Sequence, residues 1–271
     1  MARESDGTNT AAPPASETGR GWGLAAVEVL AILAVFAAAG AWPVPDVNET
    51  AYLTKARHYA DPSWCTGDFF LETPDAHGIF YLLMGPLAAA VSLEQAAWIG
   101  RWLGWLGLAC GFRHATVPLL AGGLSRVVAA ALFSLALRHT TAAGEWVIGG
   151  CEAKVFSWAM VLAGIGEIGR GRFAWACLAL GAATALHPIV GGWGLVAVLV
   201  GGGLLQWLWS PVDQAVVRSR RGPLSVSGLL VSAGLLLAAV GIVPALGLSA
   251  GADAATRAAA AKIHVVERLS H

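Results

Sequence analysis

The chain has 271 residues, 56% of them hydrophobic and only 13% charged, and its formal net charge is zero. A soluble domain carries roughly 25% charged residues, so the composition excludes an ordinary soluble globular protein. The absence of a basic excess leaves nucleic-acid binding without electrostatic support.

Residues 1–20 are polar, rich in Ser, Thr, Pro and Ala, and lack periodicity; they predict a disordered cytoplasmic tail. Residues 21–271 predict a single membrane domain. Its first span is the apolar run 22–43, broken only by Glu28. A signal peptide cut near Ala37-Ala38-Ala39 is the rival reading, and it leaves the following loop on the same, non-cytoplasmic side.

A first outer loop then covers 44–95. Its Pro45–His77 part is the only long polar segment inside the apolar chain and carries Asp46, Glu49, Lys55, Arg57, His58, Asp61, Asp68, Glu72, Asp75 and His77. The apolar stretch Gly78–Val91 is short and contains Gly85-Pro86, which predicts a segment lying in or on the outer leaflet rather than crossing. Spans follow at 96–112, 124–138, 154–168, 172–186, 190–209 and 223–247, with a second outer loop at 139–153. The expected architecture is all-α: a polytopic helix bundle of about seven spans with short helices in the long first loop. The basic clusters Arg113/His114 with Arg126, Arg170/Arg172 and Arg218/Arg220/Arg221 then all fall on the cytoplasmic side. Residues 248–271 read as an amphipathic outer helix that stops abruptly, as in a chain with further spans missing at its C-terminal end. Glycine and alanine richness suits close helix contact in lipid, and several of the 12 tryptophans fall where apolar runs end.

Four cysteines form no metal-like pattern. Cys110 and Cys177 fall in apolar runs and read as buried small residues, whereas Cys65 and Cys151 fall in outer loops where an oxidising compartment permits a disulfide.

This topology gathers polar groups on one outer surface. The first loop supplies Asp46, Asn48, Glu49, Tyr52, Asp61 and Asp68, the second Glu145, Glu152 and Lys154, and a span end His187-Pro188; Arg101 lies early in its span. The C-terminal segment adds Lys262, His264, Glu267, Arg268 and His271. Charge near a bilayer is costly and marks candidate function. Carboxylates beside cationic groups suit a general base facing a phosphate. Each also has a bland reading: a solvated loop carboxylate, a snorkelling Lys154, or a helix end at His187-Pro188.

The string Asn48-Glu49-Thr50-Ala51-Tyr52, just after the first span, resembles the Asp-Glu-x-x-Tyr motif of the C-type superfamily of integral-membrane glycosyltransferases. The inserted segment Gly78–Val91, Arg101, Glu152 and His187-Pro188 are similar to recurring features of that superfamily. The stretches NETAYL…GDFF, GEWVIGGCEAK and ALHPIVGGW also resemble an uncharacterised bacterial family of polytopic membrane proteins. The resemblance implies a cell-membrane enzyme moving a sugar from a polyprenyl-phosphate donor to an acceptor on the outer face. Glu49, Asp68 or Asp46 would be the base, and Asn48, Tyr52, Arg101, Glu152, Lys154 and His187 would bind substrate. The chain departs from the motif at Asn48, where the superfamily has its catalytic aspartate; an amide cannot act as a base. Asp46, Glu49 and Asp68 are candidate ligands for a divalent metal, which their spacing does not require; no other cofactor is implied. The alternative readings are a non-catalytic membrane assembly protein and a lipid or solute transporter. The latter would place polar groups in mid-span, where only Glu28 and Glu167 come near.

Overall fold

A computed structural model describes residues 15–46, 48–139, 147–208, 224–248 and 250–267. Among them are eleven α-helices and no strand. Glu145, Arg218, Arg220, Arg221, Arg268 and His271 lie outside the described residues.

Helix α1 (Ala15–Gly40) begins within the segment expected to be a disordered tail. Once the apolar run has nucleated a helix, extending it backwards by a few residues costs little. The polar segment between the first and second long helices holds α2 (Glu49–Ala60), the single turn α3 (Phe69–Glu72) and α4 (Gly78–Ala90). Helix α5 (Leu93–Thr116) starts at a capping box in which Ser92 and Gln95 satisfy each other's backbone N–H groups. Next come α6 (Gly123–His139), α7 (Ala153–Gly169), α8 (Phe173–Leu186), α9 (Pro188–Leu208) and α10 (Leu224–Gly247). A short α11 (Ala254–Ala261), capped by Asp253, runs into a π-helical turn at Lys262–Glu267.

Three apolar cores hold these helices. Ile32 and Phe36 of α1 meet Trp105, Leu108 and Phe112 of α5, with Ala130 of α6 and Val155 and Ala159 of α7. On the far side of α7, Val161 packs with Leu180, Ala183, Leu195 and Ala238 from α8, α9 and α10. The third core joins α2 and α4 to α5 and the start of α7: Leu53 and Ala56 of α2 with Phe80, Met84 and Ala88 of α4, Ala96 and Ala97 of α5, and Cys151 and Ala153.

The stretches Gly21–Gly40 and Val226–Gly247 are long and apolar enough to cross a membrane, and most of each is not buried against the rest of the chain. Helices α4 and α8 and the first part of α9 are apolar but shorter. Leu30, Leu132, Trp193, Leu229 and Leu246 are each at least 60% exposed. Cys110, expected to be buried, is exposed on α5; the apolar run around it has an outward face as well as an inward one. Cys177 is buried. Cys65 is exposed and Cys151 fully buried, and both are free thiols, so the two loop cysteines are not paired.

At one end of the bundle charges are paired between helices. Glu28 of α1 accepts from Arg113 of α5 and Arg126 of α6, and Glu167 of α7 contacts His114 and Arg172. The two carboxylates in the apolar runs are thus interhelical ties.

Helices α8 and α10 approach so closely that a Cβ on Gly181 would strike the Gly234 backbone, and one on Gly234 would strike the Cys177 carbonyl. Small residues permit this kind of contact. Gly234→Val is therefore expected to lower stability by about 1–3 kcal/mol. Gly228→Val in the same helix, where a Cβ would meet nothing within 4 Å, serves as the control. Thermal unfolding in detergent checks the difference; equal transitions for the two variants would contradict the packing.

Candidate functional site

The polar groups gather around the N-terminus of α7. Four segments position them: the start of α2 (Asn48, Glu49, Tyr52), the turn before α4 (Asp75, His77), the 147–152 segment leading into α7 (Glu152, then Lys154), and the C-cap of α8 (His187).

Glu49 and Arg101 are at the foundation, both wholly buried. The guanidinium grips the carboxylate side-on, Nε to Oε1 at 2.7 Å and Nη2 to Oε2 at 2.6 Å. The same two oxygens accept the backbone N–H of Cys151 (2.6 Å) and of Asp46 (2.8 Å). A carboxylate offers about four acceptor positions, and here all four are filled. Burial works to raise the Glu49 pKa, but Arg101 and the two backbone N–H groups outweigh it and hold it below the ordinary value. Arg101 also donates to the carbonyls of Trp42 and Pro43 and lies over the Trp98 ring. Gly150 has no room for a side chain, because a Cβ there would stand within 2.8 Å of the Glu49 carboxylate. Trp105 Nε1 donates to the Gly149 carbonyl and pins the same segment.

Glu152 is the contrasting carboxylate. It too is fully buried, yet among the described residues its Oε1 has no hydrogen-bond partner, and Oε2 accepts only a long 3.4 Å contact from Asn48 Nδ2. Although it occupies the N-cap position of α7, its side chain does not cap the helix. Burial pushes its pKa up to about 7; Lys154 and Asn48 oppose the rise, and the charges of Asp46 and Glu49 add to it.

The far wall is aromatic and imidazole. Tyr52 stacks edge-on against His77 at 5.2 Å, and the His77 and His187 rings lie 4.9 Å apart. Burial, then the charges of Glu152 and Asp75, raise the Tyr52 hydroxyl well above its ordinary range, so it stays neutral. Burial, with His77 and Lys154 nearby, pushes His187 down to about 3. Its Nδ1 accepts the Val190 N–H, which leaves the ring proton on Nε2. His187 is therefore a fixed neutral donor.

Sequence reasoning placed Glu49 and Arg101 as base and phosphate ligand; the geometry commits each to the other. Asn48, Tyr52, Glu152, Lys154 and His187 are brought together as expected. Asp68 is not among them: it is exposed and caps α3 through the Leu71 N–H. Asp46, Glu49 and Asp68 do not form a metal-binding group, and no cluster of three such side chains occurs among the described residues. Asp75, for which the sequence favours a solvated loop carboxylate, and His77, which it does not single out, belong to the site as well; their i, i+2 spacing ahead of Tyr81 is the signal that marks them.

An apolar pocket of about 250 Å³ adjoins this foundation, lined by Val44, Pro45, Leu53, Leu93 and Ala97 with Glu49, Thr50 and Glu94.

Two stability measurements follow. Arg101→Met leaves Glu49 buried without its counter-ion and is expected to cost about 3–5 kcal/mol, whereas Glu49→Leu combined with Arg101→Met costs less than that single change. Additive losses would contradict a mutual pair. For Glu152 the folded pKa lies above the unfolded one, so its contribution is present below the model-peptide value of 4.5 and is lost as pH rises through about 7. Glu152→Gln is thus expected to raise the melting temperature relative to wild type more at pH 8 than at pH 5; a pH-independent difference would refute the shifted carboxyl.

No family model matches the sequence, and comparison with curated proteins and with solved structures gives no match.

Proposed function

We propose that the chain is a membrane-embedded glycosyltransferase-like enzyme. It transfers a sugar from a polyprenyl-phosphate donor to an acceptor hydroxyl on the outer face of the cell membrane. The observation that carries this reading is Glu152: a buried carboxyl with an oxygen unpartnered among the described residues and a pKa near neutrality, facing Asn48 and near Lys154, which also neighbours His187. A general base works best when its pKa lies near the operating pH.

In this reading Glu152 takes the proton of the acceptor hydroxyl. The acceptor oxygen attacks the anomeric carbon, the bond from that carbon to the phosphate oxygen breaks, and the phosphate remains on the lipid. Lys154 supplies a positive charge and His187 Nε2–H a neutral donor for the phosphate. The base role passes from Glu49, which is saturated, to Glu152. Arg101 supports the site rather than binding donor.

The departure from the resembling motif also acquires a reason. An aspartate at position 48 would face Glu152 across the 3.4 Å now spanned by the Asn48 amide, and like charges at that distance cannot both ionise. Asn48 instead donates to Glu152 and orients it.

The membrane orientation rests on exposed apolar helix surfaces and on the side chosen by the arginines. Seven helices of the bundle (α1 and α5 to α10) would cross. The N-terminus, the Glu28–Arg113–Arg126 ties and the Glu167 cluster lie inside, and α2–α4, Glu152 and His187 lie outside. The apolar pocket at Leu53 and Leu93 would take the first units of the donor's lipid chain.

Glu152→Gln is expected to lower transfer from labelled polyprenyl-phosphate sugars in membranes by about 100-fold or more. Asp68→Asn should leave it unchanged. The wild-type rate should climb as pH rises through about 7, the value at which Glu152 loses its proton. Full activity in Glu152→Gln would sink the assignment. Orientation has an independent readout: a membrane-impermeant maleimide should label exposed Cys65 in intact cells. Labelling only after the membrane is opened would reverse the topology.

A further inference from the structure

Asp75 and His77 form a second proton-handling unit at the same site. The His77 Nδ1–Asp75 Oδ1 separation is 2.5 Å, and the His77 backbone N–H donates to the same oxygen. The carboxylate is itself held by a built network. Its Oδ2 accepts from Tyr81 Oη at 2.8 Å and from Lys55 Nζ at 3.2 Å. Lys55 is buried and also donates to the Thr73 carbonyl and hydroxyl, so it is locked in place. Burial would raise the Asp75 pKa, but His77, Tyr81 and Lys55 hold it far below the ordinary range. Asp75 is therefore ionised, and it fixes the His77 ring with a proton on Nδ1. His77 Nε2 has no hydrogen-bond partner among the described residues, and its ring faces Tyr52 and His187.

A buried lysine and a buried tyrosine that converge on one loop carboxylate are more than a solvated turn requires. A carboxylate fixing one nitrogen of a histidine while the other faces a site is the arrangement by which enzymes orient an acid–base imidazole.

Building on the function proposed above, we propose that His77 is the catalytic acid that protonates the departing lipid phosphate, with Asp75, Lys55 and Tyr81 as its positioning residues. The protons balance. The acceptor O–H proton passes to Glu152 as the new bond to the anomeric carbon forms. The bond from that carbon to the phosphate oxygen breaks, and the oxygen takes the Nε2 proton of the His77 imidazolium, whose charge Asp75 balances. The lipid phosphate leaves as a monoanion. Glu152 then returns its proton to His77 through solvent, and both groups are reset.

The test uses the full chain in proteoliposomes, with short-chain polyprenyl-phosphate glucose, mannose and galactose as donors and the corresponding diphosphate donors beside them. For whichever sugar the wild type transfers, His77→Gln is expected to lower kcat by about 100-fold with KM nearly unchanged. The defect should shrink with the diphosphate, a better leaving group that needs less protonation. Asp75→Asn should lose activity in the same pattern but less severely. Free imidazole should restore part of the rate of His77→Ala and none of that of Glu152→Gln. A raised KM with unchanged kcat, an equal defect with both donor classes, or no imidazole rescue would overturn the acid role while leaving Glu152 as base. A wild type that transfers none of the three sugars would overturn the enzymatic reading and this inference with it, and wild-type turnover alone separates the two failures.

Discussion

The buried pair between Glu49 and Arg101 is the constraint on which the polar end of the molecule depends. Arg101 projects from α5 and reaches the carbonyls that end the first helix, while Glu49 opens α2 and accepts the backbone N–H groups of Asp46 and Cys151. One ion pair therefore ties together the exit of α1, the start of α2, the body of α5 and the segment that leads into α7. Removing two charges from water is costly, and such a pair contributes little net stability compared with apolar residues of the same shape. What it supplies here is position. Asn48 precedes Glu49 and Glu152 follows Cys151, so fixing Glu49 and the Cys151 N–H sets Asn48 opposite Glu152.

Two glutamates within this site are driven to opposite behaviour by their surroundings. Glu49 has every acceptor position filled by N–H groups, two from a guanidinium, and stays ionised. Glu152 shares the same absence of water but receives one long amide contact, and the neighbouring carboxylates Asp46 and Glu49 oppose its charge. Environments that push paired carboxyl groups apart in pKa are how one site holds a structural anion and a titrating acid together.

The helical framework was legible in the sequence because its signal is local. Apolar runs, the Arg170/Arg172 cluster and the break at His187-Pro188 mark most of the helices to within a few residues. The short apolar stretch at Gly78–Val91 forms a helix of its own, α4. The convergence of Asn48, Tyr52, Glu152, Lys154 and His187 was also legible, since alternation of the helices places their loops at one end. The division of labour was not. The partner of Glu49 stands 52 positions away, and nothing local distinguishes a glutamate that will meet a guanidinium from one that will face open space. Asp75 and His77 were obscured for the converse reason: a polar loop looks solvated until Lys55 and Tyr81 are seen to close over it.

The lengths of the helices bear on the proposed orientation. At 1.5 Å per residue, the 17 residues of α7 extend about 25 Å and the 14 of α8 about 21 Å, against roughly 30 Å of hydrocarbon. In the proposed orientation, with their arginine-bearing ends at the inner boundary, their outer ends stop short of the outer one. Glu152 and His187 are carried by those ends and would lie at the depth of the outer leaflet, where exposure of a carboxyl and an imidazole to lipid is costly. Helix α4 packs against α2, α5 and α8 at this level and is almost wholly apolar. It exposes Leu82 and Leu83 on one side and buries Phe80 and Tyr81 on the other. In that orientation the site would sit at the outer boundary with the Glu49–Arg101 pair as its floor and α4 between it and the lipid, a placement that would suit the proposed donor, whose phosphate is attached to a membrane-anchored chain.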